Sequence, residues 1–208
     1  VKLFLTREEV FRNAGNRPAN TMKVKLGAKK DGTLTAIEFS SIGSGGAYPN
    51  GADTSFLATD LYTCPNVATV DDNVAINAGR ARAMRAPGFP QGAWALEQAM
   101  DELARKLGMD PVALRLANVP KVSQRRGNLP YTSTGLAECL SDGAKAFGWE
   151  TTRAAKKDDG PIRKGYGVAA GMWGYGGGPP ATVVVKLYAD GRDRKSTRLN
   201  SSHSQMSY

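Results

Sequence analysis

The sequence predicts an α+β fold in which mixed and antiparallel sheets pack against helices. Three observations carry that expectation. Strand-type alternation is concentrated before residue 77, helix-type spacing of three and four fills residues 91–147, and strand-type runs return after residue 165. At 208 residues, 41% hydrophobic and 23% charged, the chain can bury a substantial core.

Taken in order, residues 1–6 alternate apolar Val1, Leu3 and Leu5 with polar neighbours, a strand pattern. Residues 7–12 suit a helical turn, with Thr6 as N-cap and Glu9 completing a capping box. Met22, Val24 and Leu26 alternate with lysines, Asp31-Gly32 supplies a turn, and Leu34, Ala36, Ile37 and Phe39 form the return strand of a hairpin. Residues 40–51, rich in Gly and Ser, read as a loop, since no Gly-Lys-Ser/Thr follows to complete a phosphate cradle. Residues 53–61 are weakly helical, and after a break at Pro65-Asn66 residues 67–76 have strand character. In residues 91–107, Ala93, Leu96, Met100, Leu103 and Leu107 lay one apolar stripe along a helix, with Glu97, Asp101, Arg105 and Lys106 largely off it. Gly108 stops that helix. Asp110-Pro111 then opens a second one, burying Val112, Leu114 and Leu116. A third spans residues 133–147 and ends at Gly148. Residues 150–164 read as a polar linker. Residues 165–173 and 181–188 read as strands, and Asp190-Gly191 as the turn into another.

Composition excludes several classes of function. No run of about 18 apolar residues exists, so no membrane-spanning helix is expected. Cys64 and Cys139 are far apart and read as two isolated buried thiols, although one disulfide is open to them. The only histidine is His203, so neither a His-ligated metal nor a Ser-His-Asp triad can be assembled elsewhere in the chain. The net charge of +9 is dispersed from Lys2 to Arg198, without the clustering and interleaved aromatics of a nucleic-acid surface. A freestanding basic module for nucleic acid or another anion is the alternative kept open by that charge.

The last sixteen residues stand apart. From Asp193 to His203 the chain reads Asp-Arg-Lys-Ser-Thr-Arg-Leu-Asn-Ser-Ser-His, with no apolar periodicity, and is expected to be a disordered polar tail. The string resembles the translation of a common sequencing adapter, which makes residues 193–208 an expected artefact of assembly. Residues 1–192 are then one domain, expected to be incomplete at both ends. The tail carries Arg194, Lys195 and Arg198 against Asp193, so without it the net charge falls from +9 to +7.

The segment best suited to chemistry is 80–91: Gly79 precedes Arg80-Ala-Arg82-Ala-Met84-Arg85-Ala86-Pro87-Gly88-Phe89-Pro90-Gln91. Prolines fix φ, glycine permits close approach to a ligand, and the following helix N-terminus favours an anion. Its guanidinium groups can meet a phosphate or a polarised oxygen. A purely structural turn with solvated arginines fits the same residues.

The sequence Ala83-Met84-Arg85-Ala86-Pro87-Gly88, then Gln91 and Ala95-Leu96-Glu97-Gln98-Ala99-Met100-Asp101-Glu102-Leu103-Ala104, resembles the molybdenum-binding subunit of the xanthine dehydrogenase/aldehyde oxidase family. Further pieces match in order: Thr6-Arg7-Glu8, Arg17-Pro18-Ala19, Lys30-Asp31-Gly32, Cys64-Pro65-Asn66-Val67, Gly108-Met109-Asp110-Pro111-Val112, and Glu138-Cys139-Leu140 with Phe147-Gly148-Trp149. The resemblance implies a first molybdopterin-binding domain of a bacterial molybdenum hydroxylase, cytoplasmic or periplasmic. Such enzymes hydroxylate electron-poor carbons of aldehydes or N-heterocycles with water as oxygen source. They use a molybdenum–molybdopterin cofactor, expected here in its cytosine dinucleotide form. Electrons then pass to [2Fe–2S] and FAD groups on partner subunits or domains.

By the same resemblance, Arg85 and Ala86 lie against the cofactor, and Pro87 and Gly88 line the substrate pocket. No side chain is expected to ligate the metal, and the catalytic glutamate is expected beyond Arg192. The family's purine oxidisers carry Phe-Arg-Gly-Phe at this loop and an arginine ahead of the Pro-Asn pair. This chain has Pro87 in place of the second Phe, and no arginine between Arg17 and Arg80, with Asp53 or its neighbours standing there. Both departures imply an aldehyde or a heterocycle other than a purine.

Overall fold

A computed structural model describes residues 2–48, 51, 53–154, 161–162, 164–173, 182–189 and 193–198. It divides into two compact units, residues 1–172 and 173–208. In the first, helix α1 (Arg7–Asn13) precedes strands β1 (Asn20–Ala28), β2 (Leu34–Ser44) and β3 (Val67–Val74), with a 3₁₀ turn (Ser55–Thr59) before β3. Helices α2 (Phe89–Leu107) and α3 (Pro111–Leu116) follow, then a two-residue ladder of β4 (Val122–Ser123) with β5 (Leu129–Pro130), and helices α4 (Leu136–Phe147) and α5 (Trp149–Ala154).

The sheet has order β1-β2-β3 and is mixed, as expected of the α+β reading. β1 and β2 are antiparallel across the Asp31-Gly32 turn, with Val24 opposite Phe39, whereas β3 runs parallel to β2 with Phe39 opposite Thr69. Alternation on β2 puts Ile37, Phe39 and Ser41 on one buried face, and a register shift at Thr35 turns Leu34 inward as well. Leu57 and Ala58 of the 3₁₀ turn and Leu61 and Tyr62 just after it meet that face, as do Leu96, Met100, Ala104 and Leu114 from α2 and α3. The sheet and helices thus share one core, which carries the 80–88 loop at its rim.

Local sequence chemistry fixes the helix ends. The Thr6–Glu9 capping box is present, and α2 and α4 stop at Gly108 and Gly148 in left-handed conformation. Asp110 does two jobs. Its Oδ1 accepts from the Val112 and Ala113 amides at 2.8 and 3.0 Å, capping α3, while Oδ2 accepts from Trp149 Nε1 at 2.8 Å and pairs with Arg153. Asp110→Ala is therefore expected to lower stability by about 2 kcal/mol, half from the cap and half from the lost tie to α5. A shift in the urea midpoint checks this.

Several expectations are corrected. Residues 2–6 are not a strand: Leu3 and Phe4 lie exposed, with no strand paired to them among the described residues. Residues 164–173 likewise have no ladder partner and run without regular structure, although Ala170 is buried. Alternation marks a strand only where a second strand supplies hydrogen bonds. β2 continues to Ser44, shortening the expected loop, and α5 replaces the start of the expected linker at Trp149–Ala154. Leu116 is exposed while its neighbour Arg115 is wholly buried. Cys64 is buried and Cys139 exposed, both free, so the disulfide alternative does not hold. Burial pushes the Cys64 thiol up, and its Sγ lies 3.3 Å from the Asn66 carbonyl.

In the second unit, β6 (Thr182–Leu187) pairs antiparallel with β7 (Asp193–Arg198), from Thr182↔Arg198 to Leu187↔Asp193. The expected disorder of the terminal segment thus does not describe residues 193–198. A ladder is made by backbone N–H and C=O groups, which a polar sequence also possesses, and the edge of β6 is a template for it. The Asp190-Gly191 turn and residues 199–208 lie outside the described residues.

Candidate cofactor-facing loop

The path of residues 76–88 is set by backbone hydrogen bonds to two other segments. Ile76 and Ala81 amides donate to the Gly46 and Gly45 carbonyls, Ala47 donates to Ala78, and Arg82 donates to the Asn16 carbonyl at 2.9 Å. Beyond Arg82 the chain turns sharply into α2. Ala86 has φ 57 and Gly88 φ 80, so two of the last three residues before the helix are left-handed. A left-handed residue with a side chain is uncommon and costs free energy unless its surroundings enforce it.

Arg17 supplies that enforcement. Its Nη2 donates to the Arg85 carbonyl at 2.8 Å, and its Nη1 to the Ala86 carbonyl at 3.3 Å and to Gln91 Oε1 at 3.5 Å. Gln91 Nε2 returns to the Pro18 carbonyl at 3.2 Å and to Asn20 Oδ1 at 3.4 Å, closing a ring of contacts between the β1 approach and α2. The Phe89 amide also donates to the Ala86 carbonyl, and Phe89 packs edge-on to Phe56.

A cavity of 440 Å³ opens beside this turn, lined by Arg17, Arg80, Arg82, Met84 and Pro87 among others. Pro87 therefore faces the cavity directly. Arg85 is exposed, and Ala86 and Pro87 are half-buried. Gly88 is buried against Asp53, whose carbonyl oxygen would overlap any Cβ at that position. The Asp53 side chain is exposed and accepts from Nδ2 of Asn73, on β3, at 3.3 Å.

The electrostatics are cationic. The Arg82 and Arg85 guanidinium groups have no hydrogen-bond or ion-pair partner among the described residues, whereas Arg80 lies over the Tyr48 ring at 5.5 Å. The expected anion-binding helix start is only partly available. The Phe89 amide is turned back to Ala86 and Pro90 has no N–H, so side chains rather than the helix terminus supply most of the positive charge. A cavity walled by guanidinium groups, proline and methionine suits a ligand with an anionic, phosphate-bearing end, and so the residues present fit a molybdopterin cofactor. Among the described residues, no three His, Cys, Asp or Glu side chains come together as ligands. No helix of the described residues is long and apolar enough to cross a membrane.

Two contributors were not singled out from sequence. Arg17 stood there only as one member of a matching run, and its partners are 68 and 69 residues away. Asp71, on β3, accepts from the Thr54 amide at 3.0 Å and from Ser55 Oγ at 2.5 Å, fixing the segment that backs Gly88. Only its place in the strand pattern, beside the Asp53-containing segment in the fold, would have drawn attention to it.

The fold and loop define a molybdopterin-binding domain: residues 1–119 match the family described as "Molybdopterin cofactor-binding domain", and the chain belongs to it. It is 37% identical over 176 residues to the aldehyde oxidoreductase molybdenum-binding subunit PaoC of Escherichia coli K12, a match covering 83% of this chain and 24% of PaoC. It is 35% identical over 178 residues to the putative xanthine dehydrogenase molybdenum-binding subunit XdhA of the same organism, covering 81% and 24%. The structure of aldehyde oxidoreductase from Desulfovibrio gigas superposes with a TM-score of 0.70 at 31% identity, over 87% of this chain and 21% of that one. The chain thus spans about a quarter of the length of these curated relatives.

Proposed function

We propose that this chain is the cofactor-facing part of a molybdenum hydroxylase. The enzyme oxidises an aldehyde or an N-heterocycle with water as oxygen donor and passes electrons to [2Fe–2S] and FAD partners. The observation that carries the reading is a loop, in a chain of this family, that lines a cavity with the unpartnered guanidinium of Arg82 and exposes a second unpartnered one, Arg85, three residues on. Bound in its proposed cytosine dinucleotide form, the molybdenum cofactor supplies the two-electron redox chemistry.

The residues of this chain bind and orient. Arg85 meets an anionic or polarised oxygen of the cofactor, and left-handed Ala86 turns the backbone so that Arg85 and Pro87 diverge. Pro87 forms a rigid apolar wall for the substrate, and Gly88 lets that wall sit against the Asp53 segment. A proline cannot sandwich a flat purine as an aromatic ring does, and exposed Asp53 offers no cation to orient one. Aldehydes or non-purine heterocycles therefore suit the pocket better. The catalytic glutamate is assigned to sequence beyond residue 192, and both a cytoplasmic and a periplasmic location suit the reading.

Molybdenum and released cytidine nucleotide, measured in the full-length subunit, test this proposal. Arg85→Ala is expected to reduce molybdenum retention roughly tenfold, the loss of one charge-assisted hydrogen bond. Equal molybdenum in both proteins, or none in the unmodified subunit, contradicts it.

A further inference from the structure

We propose that Arg17 is a positioning residue that holds the 85–88 turn in its ligand-ready form. For its functional consequence the inference rests on the cofactor-facing reading above, but the geometry stands independently of it. Arg17 directs its guanidinium to two consecutive carbonyls, Arg85 and Ala86, and pairs with no carboxylate among the described residues. Those carbonyls flank the one left-handed non-glycine residue of the loop, Ala86 at φ 57. Such a conformation persists only where neighbouring contacts over-determine it.

The rest of the clamp points the same way. Gln91 accepts from the Arg17 guanidinium and donates to the neighbouring Pro18 carbonyl, so the Arg17-Pro18 segment is tied to the start of α2. The Asn16 carbonyl holds the Arg82 amide, and residues 16–17 therefore pin the loop at its entry and at its turn. Arg85, by contrast, has an exposed side chain without a partner among the described residues. Its backbone is fixed and its guanidinium is left available, as a group that must meet a ligand requires. A planar guanidinium can serve two carbonyls at once, whereas a lysine ammonium on a flexible stem cannot hold both in one orientation.

Trypsin digestion of the full-length subunit, followed by mass spectrometry, tests the clamp without depending on activity. The Arg17–Pro18 bond resists trypsin, so substituting Arg17 neither adds nor removes a cleavage site. Cleavage after Arg82 and Arg85 reports opening of the loop, and cleavage after Arg126, in the 3₁₀ turn of residues 124–126, reports the rest of the unit. Arg17→Ala is expected to raise loop cleavage roughly tenfold relative to cleavage after Arg126, with Arg17→Lys between it and the unmodified protein. In the loaded enzyme kcat is expected to fall in the same order. An equal rise at both places would assign Arg17 to general stability and overturn the proposal, as would no rise at all. Should Arg17→Ala yield no folded subunit, Arg17→Lys carries the test alone, and an unchanged cleavage ratio overturns it. Absence of molybdenum from the unmodified subunit would refute the cofactor reading while leaving the cleavage ratio to decide on the clamp.

Discussion

Arg115→Ala is expected to cost about 3–5 kcal/mol of folding stability, because it strands a buried carboxylate. Arg115 is wholly buried, and its Nε donates to Glu97 Oε2 at 2.8 Å and its Nη2 to the Glu97 carbonyl at 3.3 Å. Its Nη1 lies 2.8 Å from Asp101 Oδ1 and also donates to the Pro111 carbonyl. Burial works against the Arg115 charge, but Glu97, Tyr62 and Asp101 outweigh it and hold the guanidinium protonated. Glu97 also accepts from Tyr62 Oη at 2.7 Å and from the Ala170 amide at 2.6 Å. Burial, with the Glu97 charge beside it, pushes the Tyr62 phenol far above its usual range, so it stays a donor at every ordinary pH. The network joins α2 and α3 to Tyr62, just beyond the 3₁₀ turn, and to the backbone of Ala170. Urea unfolding should show the loss in Arg115→Ala. A double variant with Glu97→Ala should lose less than the sum of the two single variants, because the stranded charge is gone. A loss below about 1 kcal/mol in Arg115→Ala would contradict this account of the core.

Gly88→Ala should be comparably damaging, at about 3 kcal/mol or more, from two independent sources. Its φ of 80 is left-handed, which costs a residue with a side chain about 1–3 kcal/mol. The added methyl would also overlap the Asp53 carbonyl oxygen, and the backbone on both sides would have to separate. Ala86→Gly, two residues earlier, is the informative contrast. It relieves strain in the folded state while adding entropy to the unfolded chain, so the net change should stay within about 1 kcal/mol. Thermal unfolding of the two variants separates the cases. Equal effects would mean that the turn is not held as described.

The sequence was legible where a pattern needs only its own neighbours. Alternation in Met22–Leu26 and Leu34–Phe39 placed the hairpin, the capping box placed α1, and the three- and four-residue spacing placed α2. It misled where structure depends on a partner elsewhere. Residues 2–6 and 165–173 alternate like strands but have no paired strand among the described residues. Glu97 was set off the apolar stripe because it is charged, yet it lies in the core with Arg115, and hydrophobic periodicity does not register a buried ion pair. The loop stood out by its prolines, glycine and arginines. What holds it did not, since Arg17 reaches it from 68 residues away.

Hydrogen–deuterium exchange on the full-length subunit, compared with and without bound molybdenum cofactor, tests the central claim that the 80–88 loop faces the cofactor. Exchange is expected to slow at the amides of Met84, Arg85, Ala86 and Gly88 on loading, with no change at Arg125, Arg126 and Gly127. Equal exchange in the two forms across residues 80–88, with protection appearing elsewhere, would contradict it.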